Sequence, residues 1–494
     1  MDQSAAPPVE RMELAPGLKI ARALVGLWQV ADIEKDGAVI DPEAGAEHLA
    51  AYAAAGFDTF DMADHYGSAE FIAGQLLRRH AGDRRPLAFT KWCPAPGPMT
   101  PDVVRAGVEE RLARLGVERV DLLQFHWWAF EHPAWLDALH ELVRLRDDGL
   151  IGELGVTNFD AAHLHLALAD GVPLVSNQVS CSLLDRRATG ALAQVCAESG
   201  ARLLCYGALC GGFLSERWLD QPEPEPEAIG DWSKMKYRRF IDTAGGWEAF
   251  QTVLRAANVI ARKHGVSIAN VATRWVLEQP AVAGVIIGAR LGERQHMADN
   301  RRLFGFRLDA EDQALLHDAF AATSPIPGDC GDEYRKPPFL TASGDLSHHL
   351  DRLPLAFDAA PAPHRPDMRR VGSGSKWEDI AGYCRAHRVG RRILVSGTTA
   401  TAGADRIVAP GDAGAQTTFI LDKILAALAA LGGRAEDVVR TRIYLTDPAD
   451  ALAVSQAHGR VFGTVKPANT LVVVAGLIGF YRVEIEAQAL LAAD

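Results

Sequence analysis

Asp61, Tyr66, Lys91 and His126 stand, in that order, at the ends of three successive β-rich runs, FDTFDMADHY, PLAFTKW and VDLLQFHWW. Together these residue types can reduce a carbonyl. A tyrosine hydroxyl gives its proton to a carbonyl oxygen only if its pKa, about 10 when unperturbed, is drawn toward working pH. A lysine cation within a few ångströms favours the phenolate, and a carboxylate keeps that lysine charged and in place. Lys91 and Asp61 supply that pair. His126 then orients the substrate carbonyl by a hydrogen bond, so that a hydride donor meets its carbon while Tyr66 meets its oxygen. Taken singly, Asp61 reads as a helix cap, Lys91 as surface and His126 as a core histidine. Four in order on consecutive strand ends read as a catalytic set, because that is where parallel barrels keep their chemistry.

Strand ends need a scaffold. From about residue 20 to 320, short β-branched runs alternate with longer helical stretches, which predicts parallel βα units. Strand candidates at 23–30, 57–62, 87–92, 120–126, 151–157, 172–178, 202–206 and 284–288 supply the eight strands that close a (β/α)8 TIM barrel over residues 15–325. Between them lie helices with apolar residues at three-to-four spacing, such as Val103, Val104, Val108, Leu112 and Leu115. An insertion at 216–247, opening with the acidic proline run QPEPEPE, follows the seventh strand and should cover the site.

Residues 326–370 are rich in Pro, Gly, Asp and His without sustained periodicity, so they read as a linker in which the chain divides near Ala362. His348 and His349 lie there without further ligands at metal-site spacing, so no metal is expected. From 371 to 494 the pattern is α+β, with strands RRILVSG, VVRTRIYLT, NTLVVVAGL and YRVEIEAQALL and helices at 416–431 and 449–462. A charge of -12 argues against a nucleic-acid partner. No apolar run reaches bilayer length, and the N-terminus lacks a signal-peptide core, which predicts a soluble, cytoplasmic chain. Seven cysteines without C-x-x-C spacing fit reduced thiols.

No G-x-G-x-x-G follows a strand, so a dinucleotide would have to be held by the barrel itself. Asn158 and Gln178, ending the fifth and sixth strands, carry amides suited to a nicotinamide carboxamide, and Tyr206, ending the seventh, offers a face for stacking. Trp28, Trp92, Trp127 and Trp128 lie near strand ends and read either as an aromatic substrate pocket or as rim packing.

In D-x-A-x-x-Y-G from Asp61 to Gly67, and in the later T-K-W and F-H, the chain resembles the aldo-keto reductase family, over roughly residues 15–350. The resemblance implies that Asn158, Gln178 and Tyr206 hold the nicotinamide, with Thr157 where many members have serine. The segment IIGARLGERQHMADN resembles the family's adenosine end. There Gly288 and Ala289 admit the pyrophosphate, Arg290 pairs with a 2′-phosphate and Asn300 meets the adenine. This implies NADP(H), with NAD(H) as the alternative because His296 stands where many members have a second basic residue.

Residues 371–494 resemble the Rid (YjgF-type) family, in SGSKWEDIAGYCRAHRVGRRILVSGTTAT and in VKPANTLVVVAGL with RVEIEAQA. That implies a smaller, chorismate mutase-like domain, a homo-oligomer built as a trimer, and clefts for small carbonyl or imine compounds. The family's imine hydrolysis uses an arginine that here is Asn469, a neutral amide that cannot grip a carboxylate in the same way. Glu486 matches the glutamate of the closing strand and reads as structural or as positioning water or a neutral ligand. The leading expectation is an NADP(H)-dependent reductase of an aldehyde or ketone. The alternatives are a bifunctional enzyme that also hydrolyses an imine or enamine, and a cofactor-sensing assembly protein.

Overall fold

The structure is a computed structural model that describes residues 7–31, 39–80, 85–226, 229, 232–292, 296–341 and 354–493. Strands β1 (Arg11–Ala15) and β2 (Leu18–Ala21) form a hairpin that turns at Gly17, whose φ of 80° suits a residue without a side chain. Leu14, Leu18 and Ile20 of the hairpin pack with Leu24, Phe89, Leu122 and Leu204. The hairpin thus plugs the barrel end opposite the strand ends that carry the chemistry.

The barrel consists of β3 (Ala23–Gly26), β4 (Thr59–Asp61), β5 (Leu87–Trp92), β6 (Val120–His126), β7 (Ile151–Thr157), β8 (Leu174–Ser180), β9 (Arg202–Tyr206) and β10 (Val282–Gly288). All pair in parallel, and β10 joins both β9 and β3, which closes the sheet. Each strand falls on a run expected from the sequence. Along a strand successive side chains alternate between the two faces. The register pairs Lys91 with Gln124, His126 with Thr157, Thr157 with Gln178, and Ser180 with Tyr206, so these residues share the inner face at one end.

Local chemistry sets the surrounding helices. In Pro101–Leu115, the Thr100 side chain accepts from the Val103 N–H, Pro101 opens the helix, and Gly116 ends it at φ 65°. Val104, Val108 and Leu115 of this helix are buried against the barrel, while Val103 is 43% exposed.

Two segments cross the barrel mouth. One is the insertion after β9, with a turn at Glu216–Trp218 and a helix at Trp232–Thr243. The other comes from residues read as linker, where Asp332–Arg335 forms a helical turn. It is fastened by a buried ion network, in which Arg187 lies 2.7 Å from Asp185 and 2.9 Å from Glu333. A single turn leaves no periodicity to read. His348 and His349 lie outside the described residues.

The second domain has β11 (Ala359–Ala362), β12 (Arg365–Val371), β13 (Ala386–Val389), β14 (Arg392–Thr399), β15 (Thr401–Ala402), β16 (Arg406–Ile407), β17 (Val438–Leu445), β18 (Ala468–Val473) and β19 (Val483–Leu490). Seven of them form one sheet in the order β11-β12-β13-β14-β19-β17-β18, and β15 pairs with β16. The strands β11 and β12 fall inside the expected linker, and Ala362 is itself the last residue of β11. They escape a sequence reading because β11 is a four-residue edge strand and RPDMRRV, though paired on both sides, is exposed along nearly its whole length, with no apolar alternation. Helices Ala413–Ala430 and Ala451–Phe462 cover one face, and the first of them also packs on the barrel helix Ala161–Ala169.

Candidate active site

Lys91 Nζ lies 2.7 Å from Asp61 Oδ2, 3.0 Å from the Met62 carbonyl oxygen and 5.1 Å from the centroid of the Tyr66 ring. Asp61 Oδ1 accepts from the side-chain amides of Gln124 at 2.9 Å and Gln178 at 2.7 Å. Both members of the ion pair are buried, and a buried pair is tolerated when its remaining valences are filled as these are. The Tyr66 ring stands edge-on to Trp28 at 5.0 Å and to His65 at 4.9 Å, at the rim rather than in the core.

His126 lies across from this group. Its Nδ1 is 3.7 Å from Cys93 Sγ, its Nε2 is 3.4 Å from Asn158 Nδ2, and its ring lies 3.9 Å from that of Trp128. Burial pushes its pKa well below the usual imidazole value, and the nearby charges of Arg335, His65 and Lys91 push the same way. His126 is therefore a neutral imidazole with one N–H and one acceptor. The structure thus brings Asp61, Tyr66, Lys91 and His126 to one end of the barrel.

Asn158 adopts φ 57°, the left-handed region that non-glycine residues seldom occupy. Its N–H donates to Gln178 O at 2.9 Å, its Oδ1 accepts from the Tyr206 hydroxyl at 2.8 Å, and its carbonyl accepts from Arg335. Tyr206 is a poor proton donor, because burial, with Tyr334 and Glu333 beside it, raises its pKa well above the ordinary value. Two inner-face hydroxyls next to these groups, Thr157 Oγ1 and Ser180 Oγ, are buried with no hydrogen-bond partner among the described residues. Orphaned hydroxyls beside two amides and an aromatic ring fit a bound carboxamide, which both donates and accepts.

At the end of β10, a Cβ on Gly288 would come within 2.5 Å of the Gln29 amide oxygen, so glycine lets the Gln29 side chain lie against the backbone there. The Ala289 N–H binds Gly26 O at 3.0 Å. Arg290 follows at once, and His296 and Asn300 lie at the short helix Met297–Arg302, joined by a 2.8 Å bond from the Asn300 N–H to His296 O.

Some expected residues fall elsewhere. Trp28 flanks Tyr66, but Trp92 and Trp127 do not line a pocket. Each follows an inward-facing residue, Lys91 or His126, and so points outward between barrel and helices. The Trp92 ring fills the space where a side chain on Gly107 would sit, and Trp127 packs on Phe125 with its indole N–H bound to Ala129 O at 2.7 Å. In the second domain, Asn469 pairs with Thr441 and donates to its hydroxyl at 2.9 Å, while Glu486 pairs with Arg442 on the opposite face of the sheet. One chain therefore does not bring Asn469 and Glu486 together.

Several residues at the mouth went unread. Gln124 was legible, since it precedes His126 by two on one strand face. Lys236, Tyr334 and Arg335 were not. Lys236 Nζ lies 3.0 Å from the Tyr334 hydroxyl and 4.9 Å from the centroid of the Tyr206 ring. Tyr334 also stands 5.6 Å from Trp128 and 6.0 Å from His126.

Residues 24–320 match the model of the Aldo/keto reductase family, and residues 374–491 match the model described as Endoribonuclease L-PSP, that of the YjgF-type proteins. The chain is 30% identical to flagellar radial spoke protein 5 of Chlamydomonas reinhardtii over 258 residues, covering 44% of this chain and 49% of that protein. It thus spans about half the length of that relative. An uncharacterized protein of Streptomyces coelicolor is 42% identical over 123 residues, 24% of this chain and 91% of its own. Among solved structures, a glycerol dehydrogenase from Gluconobacter oxydans aligns with a TM-score of 0.52 at 26% identity, over 66% of this chain and 98% of that one.

Proposed function

This chain belongs to the aldo/keto reductase family, with a YjgF-type domain behind its barrel, and we propose that it interconverts a small aldehyde or ketone and the corresponding alcohol with NADP(H). The observation that carries this reading is the buried Lys91–Asp61 pair at 2.7 Å, held beneath the Tyr66 ring. When bound, the nicotinamide supplies or accepts hydride. Tyr66 gives its proton to the carbonyl oxygen as negative charge develops there. The Lys91 cation favours the phenolate that Tyr66 leaves behind, and Asp61 fixes the cation in place. His126, neutral, turns one ring N–H toward the same oxygen. Asn158, Gln178, Thr157 and Tyr206 would hold the nicotinamide end, and Gly288, Ala289, Arg290, His296 and Asn300 the adenosine end. Oxidation of the alcohol uses the same groups in reverse.

The second domain serves in this reading for assembly or for binding a small ligand. Its open sheet face carries exposed Leu394, Val472 and Leu490, and the loop between β18 and β19 exposes Phe480, which supports a homo-oligomer, a trimer by the family's habit. Hydrolysis of an imine is disfavoured, because Asn469 and Glu486 lie on opposite faces. A cytoplasmic location belongs to the same proposal, and the buried thiols of Cys181, Cys196, Cys205, Cys210 and Cys330, held in no disulfide, support it. Among the described residues no helix is long and apolar enough to cross a membrane. A panel of aldehydes and ketones assayed with NADPH and with NADH tests the proposal. Carbonyl-dependent oxidation, faster with NADPH, is expected, and no oxidation with any carbonyl would overturn it.

A further inference from the structure

The barrel helix Ala161–Ala169 starts three residues after Asn158, with Asp160 as its cap, and the second-domain helix Ala413–Ala430 packs against it. His163 lies buried where the two meet. Its Nδ1 is 2.7 Å from Asp160 Oδ2 and its Nε2 is 2.9 Å from Asp422 Oδ2 of the second domain. The imidazole stacks on Phe130, with 3.6 Å between centroids and 8° between planes. Arg460, also of the second domain, comes within 3.8 Å of the same Asp160 oxygen. Both ring nitrogens face carboxylates, so both carry a proton. Asp160, His163, Asp422 and Arg460 then balance in charge, and the second domain contributes two of the four.

Asp160 is more than a partner of His163. Its Oδ1 accepts the His163 backbone N–H at 2.9 Å and so fixes the first turn of the helix that leaves the Asn158 loop. Arg335 reaches the loop from the barrel mouth, donating to the Asn158 carbonyl and lying 4.3 Å over the same Phe130 ring. A left-handed asparagine persists only where its surroundings over-determine it, and here part of those surroundings belongs to another domain. Further ion pairs between the domains, among them His165 with Asp412 and Arg406 with Asp170, both at 2.7 Å, set the docking without touching the loop.

We propose that the second domain holds the Asn158 loop in its cofactor-binding conformation through Asp422, His163 and Asp160, which makes Asp422 a positioning residue for carbonyl reduction in the barrel. The inference rests on Asn158 as a nicotinamide contact. Asp422→Asn keeps the shape of the side chain and removes the charge that His163 faces.

The test is a double-mutant cycle in the full-length chain, reading NADPH affinity by fluorescence titration alongside KM and kcat. Asn158→Ala should weaken NADPH binding. Asp422→Asn should weaken it on the order of fivefold, with KM for NADPH rising more than kcat falls. The double variant should bind no worse than Asn158→Ala alone, because Asp422 acts through that residue. If Asp422→Asn does not fold, Arg460→Gln carries the same test at a partly exposed position, with the same direction expected. Unchanged affinity in whichever of these folds, or a loss that adds in full to that of Asn158→Ala, overturns the inference while leaving the role of Asn158 intact. Unchanged affinity in Asn158→Ala overturns both.

Discussion

Lys91 owes its usefulness to what surrounds it. It is 2% exposed, and Asp61 at 2.7 Å and the Met62 carbonyl at 3.0 Å fix its ammonium group beneath the Tyr66 ring. Gln124 and Gln178 in turn occupy the other Asp61 oxygen, so the carboxylate cannot swing away. Arg290 is the matching question at the cofactor's far end. If it pairs with the 2′-phosphate of NADP(H), Arg290→Ala should raise the KM for NADPH by about tenfold or more and leave that for NADH nearly unchanged, as a charge-assisted bond contributes roughly 1.5–3 kcal/mol. Equal losses with both cofactors would remove Arg290 from that role, and His296 would then be examined for it.

At the scale of elements, what the sequence disclosed and what it hid follow from periodicity. The strands β5, β6 and β7 were legible because PLAFTKW, VDLLQFHWW and IGELGVT are apolar runs bounded by turns, and their polar ends marked the site. Trp92 and Trp127, left open between pocket and packing, take the packing role, because alternation along a strand sends the neighbour of an inward residue outward. The turn Asp332–Arg335 and the exposed strand Arg365–Val371 were hidden for lack of an apolar pattern. The helix pair Ala161–Ala169 and Ala413–Ala430 adds a pH dependence that no pattern foretells. Burial lowers the pKa of His163, but Asp160 and Asp422 outweigh it, so the net shift is upward. A pKa raised by folding adds stability that is complete below the ordinary imidazole value and is lost as pH climbs through the raised one. Asp160 stays ionised throughout, its own pKa held low against burial by His163 and Arg460, with Arg335 adding to them. Protection from hydrogen exchange in both helices, once the base-catalysed rise of the intrinsic exchange rate is divided out, should therefore be greatest below the ordinary imidazole value and fall as pH climbs through the raised one. His163→Gln should remove most of that change, since His165, raised in the same sense by Asp412, is 41% exposed and counts for less. A pH response in His163→Gln as large as in the parent would place it in other groups.

The whole molecule joins a closed barrel to a sheet whose helical face is turned toward that barrel and whose other face is open. Leu394, Val472 and Leu490 share the open face, and Phe480, in the loop between β18 and β19, is 87% exposed, apolar surface of the kind that copies of a chain cover. Light scattering should give a closed oligomer, and Val472→Asp with Phe480→Asp should reduce it to single chains that still turn over carbonyls, because the barrel lies on the far side of the helices. A monomeric parent would exclude the oligomer. Everything else depends on Tyr66 as the proton donor. The most direct measurement is carbonyl-dependent NADPH oxidation by the full-length chain and by Tyr66→Phe, with NADPH affinity measured on both. Loss of turnover by about a thousandfold or more with cofactor binding nearly unchanged is the expected result, since only the proton donor has been removed. Turnover in Tyr66→Phe within a few-fold of the parent would contradict it.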